Sequence, residues 1–357
     1  MKTSIEVEYW IVDDNGDLVP PTTLLDVSDQ VEPEFVEPMI EIKTTPCESA
    51  TELREEFVGR IRRVVDAARG EGKRLVPLGT PLHAAPAEIP YREKTGTDLQ
   101  RQIIGPSFDD ARFCAGTHVH LEQSSVVDQL NTLTALDPAF ALINSSSHHR
   151  GERLAACARP YLYRKSCYEA FPDQGQLWPY VGSVDEWEER LGRSFAAFRD
   201  AARERGVGAD AFDEQFDPYD AVWTPVRLRE SFPTVEWRSP DAALPSQVLS
   251  LATEIRAIVS RADARGTVVS PDEPAGDRVR LPDFGTVDET VSTAIEHGLA
   301  DSSVTNYLRG VGLNPDRYRP LADRLPDRRV SRNEARRLRL RAADWLEADL
   351  ERAVARP

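Results

Sequence analysis

The stretch CAGTHVHLEQ, residues 114–123, places His118, His120 and Glu122 at alternate positions. In an extended chain, residues i, i+2 and i+4 share one face. Two imidazoles and a carboxylate would therefore point the same way. Three other segments share this habit. Glu6 and Glu8 alternate with Ile5, Val7 and Tyr9 in SIEVEYW. Glu41 stands between Ile40 and Ile42 in MIEIK, and Glu236 between Val235 and Trp237 in TVEWRS, with Arg238 following. Each segment can bury an apolar face and offer carboxylate, imidazole or guanidinium on the other. One such motif alone describes an ordinary solvent-facing strand; four from distant parts of the chain suggest one shared face.

If those faces meet on one sheet, Glu6, Glu8, Glu41 and Glu236 converge. Clustered like charges are costly unless something neutralises them. A divalent cation does so better than a proton. Hard Mg²⁺ takes carboxylate oxygens, and Mn²⁺ also accepts an imidazole. So many acids call for two or more ions. Such a set could hold the phosphates of ATP, with Arg238 and Arg227 on phosphate or carboxylate oxygens. The glycine-rich phosphate loops are missing. RGEGKR at 69–74 has Arg74 where a P-loop needs Ser or Thr, and RGVGLNPD at 309–316 lacks the third glycine.

The elements that must position these residues read as follows. SIEVEYWIV is a strand, and the turn signal NGD follows at 15–17. FVEPMIEIKTT is strand-like, with Pro38 suggesting an edge or a bulge. Residues 49–72 form an amphipathic helix with Leu53, Phe57, Ile61, Val64 and Val65 on one stripe and Ser49 as N-cap. RLVPLGTPL is a short strand, and 84–111 reads as irregular. The His-x-His strand is followed by helices over about 125–160 and 186–206. The acidic stretch 209–221 reads as an exposed loop. Residues 222–241 return to strand character, 244–266 is a helix, 270–277 a loop, and 331–354 a charged helix with interleaved acids and arginines. Hairpin-like strands with separate helices predict one α+β domain over 1–357, its charged C-terminal helix, 331–357, packed on it.

The chain of 357 residues carries 60 acidic and 44 basic side chains, a formal charge of −16. That argues against a nucleic-acid partner, which wants a basic surface. Lys2, Lys43, Lys73, Lys94 and Lys165 are the only lysines. Excess acid with so little lysine resembles the composition of salt-loving archaea, whose surfaces need ions to screen self-repulsion. Cys47, Cys114, Cys157 and Cys167 are scattered and form no CxxC pair, so they read as reduced core residues. No signal peptide or membrane span is visible, which predicts a cytoplasmic protein with no membrane partner. A homo-oligomer is allowed by the sequence.

Together these motifs resemble the glutamate–cysteine ligase type 2 family of carboxylate–amine ligases. The family's Gly-x-Glu-x-Glu strand is matched by SIEVEYWIVDDNGDLV, with Ser4 where glycine is usual. Its Gly-x-His-x-His strand is matched by GTHVH. YRKSCYEAFPDQG, 163–175, resembles the family's Tyr-Arg-Ser, aromatic, Pro-x-x-Gly stretch. RLRESFPTVEWRSPD supplies Arg227, Glu236, Arg238 and Asp241 of its last block. The matches run in family order from about residue 4 to 241. NSSSHHRGERLAA departs from the family after Asn144 and Ser145, in a stretch that would shape the substrate pocket; His148 and His149 read there as loop or pocket residues.

The resemblance implies a curved, mainly antiparallel sheet cradle like that of glutamine synthetase. It implies Mg²⁺ or Mn²⁺ as cofactor and ATP, L-glutamate and L-cysteine as small-molecule partners, joined through a γ-glutamyl phosphate. Glu6, His118 and Glu236 would hold one ion, and Glu8 and Glu41 another. His120 would lie near the nucleotide, with Glu122 behind on the same strand face. Arg227 and Arg238 would offset phosphate charge, and Arg164, with Asn144, would bind substrate. Two alternatives stand beside this: a γ-glutamyl ligase for another amine, and a metal-dependent amidohydrolase, which also uses His-x-His on a strand.

Overall fold

A computed structural model of the chain describes residues 1–269 and 275–354. The strands follow from the alternation. They are β1 (Thr3–Asp13), β2 (Val31–Pro33), β3 (Met39–Lys43), β4 (Lys73–Val76), β5 (Thr117–Glu122), β6 (His148–His149), β7 (Glu152–Arg153), β8 (Val226–Arg229), β9 (Thr234–Trp237), β10 (Thr267–Val268) and β11 (Val279–Arg280). Seven form one sheet in the order β2-β3-β1-β5-β9-β8, with β4 also on β1. Every pairing in it is antiparallel.

The helices are α1 (Ala50–Gly70), α2 (Thr95–Ile104), α3 (Val126–Leu136), α4 (Ala158–Tyr161), α5 (Val184–Glu204), α6 (Ala209–Gln215), α7 (Pro218–Ala221), α8 (Pro245–Arg265), α9 (Phe284–His297), α10 (Ser302–Gly310) and α11 (Arg332–Val354). The fold is α+β, as the sequence suggests. Ile5, Val7, Tyr9, Ile40, Ile42, Leu121, Val235 and Trp237 are fully buried and join one core with Leu53, Phe57 and Ile61 of α1 and Ile255 and Val259 of α8. Removing that much apolar surface from water is the main force holding helices to sheet. The Ser49 hydroxyl caps α1, accepting the Glu52 N–H at 3.1 Å. A second apolar cluster joins Ile103 and Ile104 of α2, Phe198 of α5 and Phe212 of α6 to Tyr168 and Trp223.

The C-terminal helix α11 docks by its Leu338, Leu346 and Leu350 in the main core. Arg336 Nε donates to Asp17 at 2.6 Å, and Glu347 accepts from Arg74 at 2.7 Å. Gly16, at φ +78°, sits so close to this helix that a Cβ would lie 2.4 Å from the Arg336 carbonyl oxygen.

Several expectations are corrected. The stretch 209–221 is mostly helical, α6 and α7. The stretch 84–111 contains α2 and then a 3-10 segment, Pro106–Phe113. The span 125–160 is not helical throughout, since β6 and β7 form a short hairpin there. Pro38 marks neither edge nor bulge; it precedes β3, which lies inside the sheet between β2 and β1. Of the expected loop 270–277, residues 270–274 lie outside the described residues, as do 355–357 of the C-terminal segment.

Candidate active site

The strand register assembles the polar face. Across β1 and β5, Glu6 stands opposite His118. Across β1 and β3, Glu8 stands opposite Glu41 and Glu6 opposite Lys43. Across β5 and β9, His120 stands opposite Glu236, which in turn faces Arg227 of β8. Directly opposed residues project on the same side of a sheet. Six of the acids and imidazoles expected to act together therefore do meet.

The contacts are close. His118 Nδ1 lies 3.1 Å from Glu6 Oε2 and 3.7 Å from both Glu41 Oε1 and Glu236 Oε1, and its Nε2 is 3.7 Å from Glu8 Oε1. His120 Nε2 is 3.3 Å from Glu6 Oε2 and 3.8 Å from Glu236 Oε1. Arg227 Nε donates to Glu236 Oε2 at 2.6 Å, and Arg238 Nη1 to Glu236 Oε1 at 2.7 Å. The Gly116 N–H donates to Glu8 Oε2 at 2.5 Å. A Cβ on Gly116 would meet the Arg159 guanidinium, which itself donates to the Arg238 and Ser239 carbonyls.

The electrostatics split the acids into two groups. Burial would raise the Glu236 carboxyl, but Arg227 and Arg238 more than offset it and hold it well below the usual range. Burial likewise opposes the charge of Glu6, and the close approach of His118 and His120 pulls its carboxyl low. Glu41 goes the other way: burial, then the charges of Glu6 and Glu34, raise it well above normal. Glu34 is pushed up to about 8 by burial and the Glu8 charge. Burial, then the Arg238 charge, lowers His118, leaving a neutral imidazole. A metal ion needs that form.

Among the described residues, three groups place ligand atoms within 4.8 Å of one another: Glu6–His120–Glu236, Glu6–Glu41–His118 and Glu8–Glu34–Glu41. His118 Nε2 and His120 Nε2 are buried without a hydrogen-bond partner. Carboxylate oxygens with one or two imidazoles suit Mg²⁺ or Mn²⁺. These groups extend the expected ones: Glu34 joins Glu8 and Glu41, and both imidazoles stand beside Glu6 and Glu236. His120 also reaches Glu6 and Glu236, because the register sets it directly against Glu236, while His118 lies between that pair and Glu41.

Beside the arginines stands an aromatic wall. Tyr163 and Trp223 stack at 4.4 Å between ring centroids and 8° between planes, with Tyr168 further along.

The sequence profile of glutamate–cysteine ligase family 2 matches residues 5–306. The chain belongs to this family. Its relatives include a provisionally named glutamate–cysteine ligase 2-1 of Rhodococcus jostii (strain RHA1), 25% identical over 253 residues, covering 68% of this chain and 63% of that protein. A provisionally named glutamate–cysteine ligase 2 of Paracoccus denitrificans (strain Pd 1222) is 28% identical, covering 67% of this chain and 60% of the relative. The matches thus span about three-fifths of those relatives' length. Two solved structures share the fold at low identity. A glutamate–cysteine ligase of Francisella tularensis in complex with AMP has TM-score 0.58 and 11% identity, covering 99% of this chain and 82% of that one. A bifunctional glutathione synthetase of Pasteurella multocida has TM-score 0.59 and 13% identity, covering 98% and 52%.

Within the family's sheet, some expected residues lie elsewhere. Arg164 is buried under the end of β9, donating to Asp137 Oδ2 at 2.6 Å and Ser239 Oγ at 2.9 Å. Asp137 also accepts from Trp237 Nε1, on the helix-packed side, so this guanidinium is held away from the carboxylate face. Asn144 donates to the Ala156 carbonyl at 2.6 Å and lines a separate 200 Å³ cavity with His297 and Asp323. Glu122 is exposed at the strand end and accepts the Lys2 N–H. His149 lies 3.3 Å from Asp110, away from the carboxylates. Asp241 accepts the Ser145 N–H at 2.9 Å, tying the departing loop to the last family block. Two site residues escaped the sequence reading. Glu34 follows β2 two residues after Glu32, in the E-x-E of VEPEF, a pattern the sequence reading passed over. Lys43 was visible as the next same-face residue after Glu41.

Proposed function

We propose that the chain is an ATP-dependent carboxylate–amine ligase that joins the γ-carboxyl of L-glutamate to the amine of L-cysteine. The single observation that supports it is the convergence of Glu6, Glu8, Glu34, Glu41, His118, His120 and Glu236 with two arginines on one sheet face. A carboxylate resists amines because resonance and charge oppose attack. Activation solves this: a γ-carboxylate oxygen attacks the γ-phosphorus of ATP and ADP leaves. The amine nitrogen then attacks the acyl carbon, phosphate leaves, and the amine gives up a proton.

The chain's residues serve this by placement and charge. Arg238 and Arg227, seated by Glu236, present guanidinium groups to phosphate oxygens, where charge-assisted bonds are strong. Glu6, Glu8, Glu34, Glu41, His118, His120 and Glu236 would hold Mg²⁺ or Mn²⁺. Those ions when bound would neutralise the phosphates of ATP. Tyr163, Tyr168 and Trp223 stack on one another, and the Tyr163 ring carries the Arg159 guanidinium that holds the Arg238 carbonyl. The choice of cysteine as acceptor is supported by the family resemblance.

The test is phosphate release by purified protein with Mg²⁺, ATP and glutamate across a panel of amines. Fastest release with cysteine, with γ-glutamylcysteine as product, is the expected result. A faster amine would overturn the acceptor and keep the reaction class. ATP-independent amide cleavage would favour the hydrolase instead.

A further inference from the structure

Lys43 ends β3 inside the carboxylate face. Its ammonium lies 2.9 Å from Glu41 Oε2, 3.9 Å from Glu6 Oε1 and 2.9 Å from Glu32 Oε2. The register explains all three contacts: Lys43 is opposite Glu6 across β1, and Glu32 is opposite Glu41 across β2. The Lys43 backbone is fixed, its N–H donating to the Gln30 carbonyl and its carbonyl accepting from Arg60. Only the side chain is free to move.

The oxygens are divided. Glu6 turns Oε2 to His118 and Oε1 to Lys43; Glu41 turns Oε1 to His118 and Oε2 to Lys43. A cation taking both oxygens of either carboxylate must displace the ammonium. Glu32 lies outside the three ligand groups, and its side chain is half exposed. It already shares the ammonium and offers it a place to remain.

We propose that Lys43 is a tethered counter-ion that competes with the divalent cation for Glu6 and Glu41, and that Glu32 is the carboxylate to which it retreats. The ammonium then offsets part of the cluster's negative charge without metal, and the affinity for metal is set by two residues that need not ligate it. This deepens the reading of the site as a divalent-cation centre and rests on it.

The experiment measures Mn²⁺ binding by calorimetry and by the electron paramagnetic resonance of free Mn²⁺, without nucleotide. Lys43→Met should bind Mn²⁺ about tenfold more tightly than wild type, the scale of one charge-assisted contact. Its melting temperature without metal should fall, and saturating Mn²⁺ should raise it by more than it raises wild type. Glu32→Gln, which confines the ammonium to Glu41 and Glu6, should bind Mn²⁺ several-fold more weakly. Equal or weaker binding by Lys43→Met overturns the proposal alone. Absence of Mn²⁺ binding in wild type and both variants overturns the metal centre as well. Glu32→Gln, at an exposed position, keeps the test decisive if Lys43→Met fails to fold.

Discussion

At the scale of single residues, the two classes of acid in the site call for opposite responses to the same substitution. Glu236 is held ionised by Arg227 and Arg238, so Glu236→Gln leaves one buried and one half-buried guanidinium under-compensated. Turnover should fall by roughly 10³-fold, and the metal-free protein should melt several degrees lower. Ionising Glu41 carries a cost, its carboxyl being raised by burial and by the charges of Glu6 and Glu34. Glu41→Gln removes that cost. Turnover should fall as well, but the metal-free melting temperature should rise. Calorimetric melts beside steady-state assays check both directions. That these acids share a face was legible in the sequence because a period of two is unambiguous in E-x-E, H-x-H and T-V-E-W-R. Glu34 also stands in an E-x-E, with Glu32, but Pro33 between them and the short run masked the strand, and the fold brings it to Glu8 and Glu41. Arg164 shows the converse: its motif matched, yet its charge is engaged by Asp137, which no local pattern revealed.

At the scale of elements, strands read more easily than acidic helices. α6 buries Phe212 and little else, so its sequence carries no apolar stripe to distinguish helix from loop. α2 was hidden by the prolines around it, and the β6–β7 hairpin by its brevity. The loop after α3 is anchored by Asp241, which is fully buried and accepts both the N–H and the hydroxyl of Ser145. Burial pushes its carboxyl up to about 6, against the pull of Ser145 and Arg159. A carboxyl raised in the folded state favours folding most when protonated. Its contribution is complete below the ordinary value of 3.8 and is lost as pH rises through about 6. Asp241→Asn keeps an acceptor for Ser145 and cannot ionise. Relative to wild type, it should therefore gain stability between pH 4.5 and 7.5, by at most about 2–3 kcal/mol. Denaturant unfolding at several pH values tests this; an unchanged difference would show that Asp241 does not titrate there.

At the scale of the molecule, two charge problems coexist. One is the surface, at net −16; the other is the buried cluster. Surface repulsion is screened by any salt, whereas a buried site responds to an ion that binds it. Raising KCl should raise the melting temperature progressively. Adding Mg²⁺ at matched ionic strength should raise it further, through about 2–3 kcal/mol of added stability once the free ion is ~100-fold above its Kd, and EDTA should reverse only that part. No helix among the described residues is long and apolar enough to cross a membrane.

The order of strands in the sheet bears on synthesis. β1 carries Glu6 and Glu8 at the very start of the chain, yet Glu236 and the arginines that seat it arrive only with β8 and β9. A nascent polypeptide leaving the ribosome therefore holds four of the acids, with Lys43 beside them, long before the two arginines exist. The sheet cannot close between β5 and β9 until translation has passed Arg238, and closing so long a loop is slow. Until then the emerging half-sheet shows an open, acid-lined flank, so cotranslational maturation of this fold is gated by its latest-made hairpin.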